Sequence, residues 1–290
     1  MNNESFLKEA HSYINTEFEG FKVYQDIVKD IFIEFNRVCR ENQIKYFTAF
    51  GSLLGIIRDH GFIPWDYDMD VMIDYADLDR LQVCLEEKLG EDYYYVYITN
   101  MKDYPLPVLR VCKKGYTYMS FHVDVFFLTG CPGNEIAREK YIKKVNKICQ
   151  IRMDKFVKSH SIPQKETTAR RVYTFIRNLE TFLMPVSVLE KREKKLFGKY
   201  PVANAEYCIS ISNEYHKHLA CLFGNNEDIE VDGIFYSVPV EYDKVLREEY
   251  GDYNEYMPIR NRFEEFYTLK RYIEDNQEYY LKYLRHRVEE

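Results

Sequence analysis

Gly51-Ser52-Leu53-Leu54-Gly55-Ile56-Ile57-Arg58, followed after two residues by Gly61-Phe62-Ile63-Pro64-Trp65-Asp66-Tyr67-Asp68-Met69-Asp70, is the stretch on which the reading of this chain turns. Tyr46 to Phe50, just before it, is an aromatic run that reads as a short strand, and Gly51-Ser52 breaks it. Ser52 suits the N-cap position, which predicts a short helix over residues 52–58. A Gly-Ser at a strand-to-helix turn exposes backbone N–H groups and a hydroxyl at the positive end of a helix dipole. Gly51 and Ser52 are therefore candidate phosphate-binding residues. From 66 to 73, acids alternate with Tyr67, Met69, Val71 and Ile73. The alternation predicts a strand with Asp66, Asp68 and Asp70 on one face and Tyr67 on the other. Carboxylates grouped in this way repel one another unless a cation neutralises them. Their hard oxygens suit Mg²⁺ or Mn²⁺.

Outward from this stretch, Val23, Ile27, Ile31 and Phe35 recur every four residues and predict a helix over 21–41. Leu78, Leu81, Leu85 and Leu89 predict a second helix ending at Gly90. Residues 93–98, 108–111 and 121–128 read as strands. The last contains Phe121-His122-Val123-Asp124-Val125-Phe126-Phe127, an acid inside an apolar run. Buried alone, Asp124 would be costly. A neighbouring strand carrying the acidic triplet and a metal would resolve the cost, and His122 shares a face with Asp124 and would orient it. The order of elements predicts an α/β (α+β) fold, a mixed sheet flanked by helices. After Pro132-Gly133 a basic helix capped by Asn134 follows, with helical segments to about 196 interrupted near Pro163 and Pro185. Residues 232–240 read as a hairpin or edge strand, and 263 onward as a terminal helix. With no repeat and no clear linker, the chain reads as a single domain over 1–290. Its core is 21–130, and 131–290 is a mostly helical elaboration.

The composition narrows the class. A chain of 290 residues, 46% hydrophobic and 30% charged, reads as a soluble globular protein. No apolar run approaches the roughly 20 residues of a membrane span. Met1-Asn2-Asn3-Glu4-Ser5 lacks the order of a signal peptide, so a cytoplasmic location is expected. The seven cysteines include no Cys-x-x-Cys pair, which points to reduced thiols rather than a disulfide framework or zinc knuckle. A net charge of −7 argues against nucleic acid as a partner. Residues 135–199, however, hold 17 Lys or Arg against seven Asp or Glu. That segment either presents solvated helix faces or meets an anionic glycan or the inner face of an anionic membrane as a peripheral contact. The 27 tyrosines supply surfaces for stacking on bases, sugars or quaternary ammonium groups. His216-Lys217-His218 is too short a pattern to imply a metal.

A Gly-Ser turn, an Asp-x-Asp strand and a later lone Asp together resemble the active site of the nucleotidyltransferase superfamily. Residues 51–70 resemble more closely the signature of the LicD family, G-S/T-L-L-G-x-x-R followed by G-F-I-P-W-D-D-D-I-D. The resemblance continues at Val123-Asp124-Val125-Phe126-Phe127 and at Val238-Pro239. It extends through Tyr242-Asp243, Leu246 and Tyr250-Gly251-Asp252-Tyr253. Tyr67 departs from the family's middle Asp, and Asp59-His60 and Phe127 also differ. The resemblance implies a nucleotidyltransferase-type core. It implies transfer of phosphocholine, or in the fukutin-related branch ribitol phosphate, from a CDP-linked donor with release of CMP. The acceptor implied is a glycan, teichoic acid or glycolipid precursor. Asp68, Asp70 and Asp124 would be the catalytic and metal-holding residues, with Asp124 completing the site or accepting the hydroxyl proton. Gly51, Ser52, Arg58, Trp65 and Asp66 would line the donor site, and Trp65 favours CDP-choline over a polyol donor. Two other readings use the same residues: nucleotidyl transfer to a small molecule, and a non-catalytic scaffold that binds a nucleotide or glycan.

Overall fold

The apolar stripe of the first helix is the wall on which the sheet is built. Ile27, Ile31, Phe35 and Cys39 recur at four-residue steps along helix α1 (Phe21–Glu41), and each is 0% exposed. In this computed structural model residues 21–156, 183–211 and 217–256 are described. Helix α1 packs on a seven-stranded sheet whose path is β1-β2-β5-β4-β3. The strands are β1 (Phe47–Thr48), β2 (Asp70–Asp74), β3 (Tyr93–Val96), β4 (Leu109–Lys113) and β5 (His122–Cys131). Two later strands, β6 (Tyr207–Ser210) and β7 (Lys217–Leu219), extend the sheet from the far end of β5. Strands β2 and β5 run parallel, and the other pairings are antiparallel. With helices α2 (Phe50–Leu54), α3 (Leu78–Lys88), α4 (Glu135–Phe156) and α5 (Val186–Phe197) around it, this is a mixed α/β fold of nucleotidyltransferase type.

A separate hairpin, β8 (Asn226–Val231) and β9 (Ile234–Pro239), turns at Asp232-Gly233, where φ is 51° and 77°. Asp-Gly tolerates two successive left-handed residues, the geometry that matches strand twist in a two-residue turn. The hairpin closes over β1, with Tyr236 stacked on Phe32 at 4.9 Å and the Ser237 hydroxyl donating to the Tyr46 carbonyl. Helix α6 (Tyr242–Tyr250) follows it.

Helices α4 and α5 are locked by a buried ion pair. The Nε and Nη2 of Arg152 each donate to a Glu193 oxygen at 2.6 Å, and Nη1 donates to the Tyr104 carbonyl at 3.1 Å. The two side chains are 0% and 1% exposed. The expected cap of α4 is present, since Asn134 Oδ1 accepts from the Ala137 N–H at 3.0 Å.

Two expectations are corrected. Strand β2 begins at Asp70, so residues 66–69 form the end of a loop rather than strand. The helix after β1 begins at Phe50, whose φ of 50° makes the turn, and is followed by a wide π-type turn, Gly55–Asp59. Ser52 therefore lies inside the helix and is not its cap, because the chain reverses two residues earlier than the Gly-Ser signal suggests. Among the described residues after 131, helices α4, α5 and α6 are accompanied by four strands, two in the main sheet and two in the β8–β9 hairpin. The stretch around Pro163 and the terminal helix from 263 lie outside the described residues. All seven cysteines are free thiols. Among the described residues no helix is long and apolar enough to cross a membrane.

Candidate active site

The loop 61–69 delivers the acids to one place. The buried Gln25 of α1 donates through Nε2 to the carbonyls of Ile63, at 3.3 Å, and Asp66, at 2.7 Å. Asp66 Oδ1 accepts from the Tyr67 N–H at 2.9 Å, fixing the bend. A Cβ on Gly51 would lie 2.7 Å from Asp66 Oδ2, so glycine is what lets this carboxylate approach the helix backbone. The buried Ser52 hydroxyl accepts from the Asp70 N–H at 2.8 Å and ties the start of β2 to α2. Ser52 thus reaches the acidic strand itself.

Asp70 sits opposite Asp124 in the parallel β2–β5 pair, and Arg110 of β4 sits opposite Asp124 on the other side. Arg110 grips both Asp124 oxygens, Nε to Oδ1 at 2.7 Å and Nη2 to Oδ2 at 3.2 Å, and His122 Nε2 lies 3.6 Å from Oδ2. Burial alone would raise the Asp124 pKa, but His122 and Arg110 outweigh it and hold the group well below the carboxylate range. Asp68 and Asp70 behave in the opposite way. Burial raises both, and for Asp70 the charges of Asp68, Asp124 and Asp66 add to the rise. Among the described residues, no three His, Cys, Asp or Glu side chains form a metal centre on their own. The arrangement instead offers two under-neutralised carboxylates, Asp68 and Asp70. That suits a magnesium-like ion, which takes one or two carboxylates and completes its shell with phosphate oxygens and water.

Asp66, Asp68 and Asp70 line a cleft of about 400 Å³, whereas Asp124 and Ser52 lie behind its lining. Gly51, Asp66, Tyr67, Asp68 and Asp70 form one side, and Arg58, Trp65, Tyr250, Tyr253 and Glu255 form much of the rest. Tyr67 belongs to the cleft wall and packs edge-on against Tyr24 at 6.0 Å. The expectation that it faces away from the acids fails because residues 66–69 do not follow strand alternation. Arg58 is in the cleft with its charge already matched: Nε and Nη2 bond the neighbouring Asp59 at 2.9 and 2.8 Å. Its Nη1 donates to the Tyr253 carbonyl at 3.3 Å, and its guanidinium lies 4.4 Å over the Tyr256 ring. Tyr256 also donates to Asp59 at 2.8 Å and meets Trp65 edge-on at 6.5 Å.

The wall supplied by Tyr250, Tyr253 and Glu255 was not legible from periodicity, because it lies about 180 residues beyond the acids and only folding brings it there. Gln25 was also missed; an amide set beside an apolar helical stripe was its signal. Helix α6, which ends at Tyr250, is anchored underneath by His218 of β7. Its Nδ1 lies 2.9 Å from Glu248 Oε2 and its Nε2 3.1 Å from Glu249 Oε1, and the His218 and Glu249 side chains are each 1% exposed. Burial would lower the His218 pKa, but the bonds to Glu249 and Glu248 prevail and raise it. Only the protonated ring has a donor for each carboxylate.

The chain is similar in sequence to known proteins. Residues 43–165 match the LicD/FKTN/FKRP nucleotidyltransferase domain. The chain is 26% identical over 238 residues to the lipopolysaccharide cholinephosphotransferase LicD of Haemophilus influenzae, covering 77% of this chain and 87% of that protein. It is also 33% identical over 98 residues to the uncharacterized protein RP689 of Rickettsia prowazekii, covering 33% of this chain and 31% of that protein.

Proposed function

We propose that this chain, whose residues 43–165 match the LicD/FKTN/FKRP nucleotidyltransferase domain, transfers phosphocholine from CDP-choline to a hydroxyl of a cell-surface glycan or glycolipid precursor, releasing CMP. The observation that carries the reading is the grouping of acids against an aromatic wall in one cleft. A quaternary ammonium has no hydrogen to donate, so proteins hold it with aromatic faces and carboxylates. Trp65, Tyr250, Tyr253 and Glu255 offer both, whereas a polyol would call for a set of hydrogen-bonding side chains.

Asp68 and Asp70 would hold Mg²⁺ or Mn²⁺, which fits carboxyls whose pKa burial raises despite the nearby His122 and Arg110. When bound, the ion would neutralise charge on the diphosphate and on the leaving CMP. Asp66, packed on Gly51, shapes the acidic side of the cleft. Asp124 is kept ionised by His122 and Arg110, which suits a fixed negative charge beside the ion better than a proton acceptor. Ser52 acts through Asp70, whose N–H it holds, and Arg58 positions the aromatic wall through Tyr253 and Tyr256. In the transfer, the acceptor oxygen bonds to the choline-bearing phosphorus and the bond from that phosphorus to the CMP oxygen breaks. The hydroxyl proton passes to a carboxylate of the cleft.

Mass spectrometry of turnover with CDP-choline or CDP-ribitol and a surrogate glycan tests this. CMP and a phosphocholine-bearing glycan should form with Mg²⁺ and cease with EDTA. A CMP-bearing product with free phosphocholine would mean attack at the other phosphorus, and turnover in EDTA would remove the metal. Faster turnover of CDP-ribitol, or a Trp65→Ala variant that weakens both donors equally, would overturn the aromatic site for choline.

A further inference from the structure

The basic middle of the chain, which the transfer reaction does not use, forms a groove of its own. Helices α4 and α5 pack side by side and border a cavity of about 420 Å³. Its floor is apolar: Ile148, Ile151 and Met184 are buried and Leu196 is half-buried. Its rim is Lys144, Lys147, Arg192, Lys195 and Lys199, all exposed. Among the described residues no carboxylate lines it. Beside Met184, Leu183 is 64% exposed, an apolar side chain left in water at the edge of the groove.

We propose that this groove docks the protein on an anionic phospholipid surface, with headgroup phosphates on the cationic rim and acyl carbons on the floor. The rim selects for negative charge, and the floor selects for an amphiphile. A free phosphate or an anionic glycan would satisfy the lysines but gain nothing from Ile148, Ile151 and Met184. Lysine stems are long enough to lie along that apolar surface while their ammonium groups reach a headgroup. Charge also sets the orientation. The whole chain carries −7 and is repelled by an anionic bilayer, so a face of concentrated cations is the one that approaches. Leu183, already exposed, then has an apolar phase to enter.

Sedimentation with vesicles tests the assignment without any reference to turnover. One set is phosphatidylcholine alone, and the other is phosphatidylcholine and phosphatidylglycerol in equal parts. The protein should sediment with the mixed vesicles and not with the neutral ones. Lys144→Glu/Arg192→Glu/Lys195→Glu should lower partitioning by at least about a hundredfold, from roughly fivefold per cation lost at the surface. Its circular dichroism and melting should be unchanged, since all three side chains are exposed. Leu183→Asp should weaken binding as well. Equal sedimentation with both vesicle types, or a triple variant that binds like the parent, would overturn the proposal. So would displacement by a soluble sulfated glycan together with an indifferent Leu183→Asp, which would make the partner an anionic glycan.

Discussion

Asp70, the first residue of β2, lies directly opposite Asp124 of β5 on strands that run in the same direction. A parallel pair brings the early residues of both strands to one edge of the sheet, so acids more than 50 positions apart in sequence share one site. Arg110 bonds the Asp124 carboxylate and reaches Asp70 only through its more distant charge. Asp68 and Asp70 are left to repel each other in partly enclosed surroundings, and that imbalance generates the predictions for the cleft.

Asp68→Asn and Asp70→Asn should each lower kcat by about two to three orders of magnitude, the usual loss for an electrostatic catalytic group. Their stability at neutral pH should hold or rise. A carboxyl whose folded pKa is raised loses stability as pH climbs above its unfolded value, and an amide removes that loss. Urea unfolding at pH 7 beside steady-state rates separates the two effects. Near-parental rates in both variants would remove these residues from the mechanism.

Arg110→Leu should destabilise by about 3–5 kcal/mol, because it leaves Asp124 buried and ionised without its guanidinium. Arg110→Lys keeps a charge but cannot bond both oxygens in the same way, so it should fall between. Chemical denaturation reads the difference directly. A Leu variant as stable as the parent would show that His122 suffices to hold Asp124.

Gly51→Ala tests the close approach of Asp66. The added methyl must displace a carboxylate now 2.7 Å away. Shifts of about 1 Å at a site can cost about a hundredfold in rate, so activity should drop far more than stability. Parallel melting curves and kcat measurements would show it. A rate within twofold of the parent, by contrast, would mean that Asp66 moves aside without consequence.

His218 gives the fold a pH dependence on the alkaline side of its ordinary value. Its folded pKa lies above the unfolded reference of about 6.5, so its contribution is complete below that reference and is lost as pH rises through the folded value. Stability measured by urea titration from pH 6 upward should decline in the parent. His218→Gln, which cannot be protonated, should flatten that decline. An unchanged slope would place the titrating group elsewhere.

Much of this was legible from local pattern. The stripe of α1 and the apolar runs of β3 to β5 are set by neighbours three, four or two residues apart. The Asp66 to Asp70 alternation misleads because an extended loop and a strand share it; what distinguishes them is a ladder partner, and β5 meets β2 only from Asp70. Ser52 misleads because Phe50 turns the chain first. Arg110 was visible as a cation in an apolar strand, yet its partner could be found only from strand register. Tyr250 and Tyr253 stood out only through the resemblance at Tyr250-Gly251-Asp252-Tyr253, because their neighbours in the cleft come from the other end of the domain.

The Arg152–Glu193 pair constrains how this sequence can change over generations. Losing one partner strands a buried charge at a cost of about 3–5 kcal/mol, a large part of a domain's whole stability of about 5–15 kcal/mol. Replacing both with well-packed apolar residues is close to neutral. Two viable states are therefore separated by unfit single substitutions. A lineage drifting one residue at a time keeps the pair long after its origin has ceased to matter, and chains in which it is gone should have lost both members together.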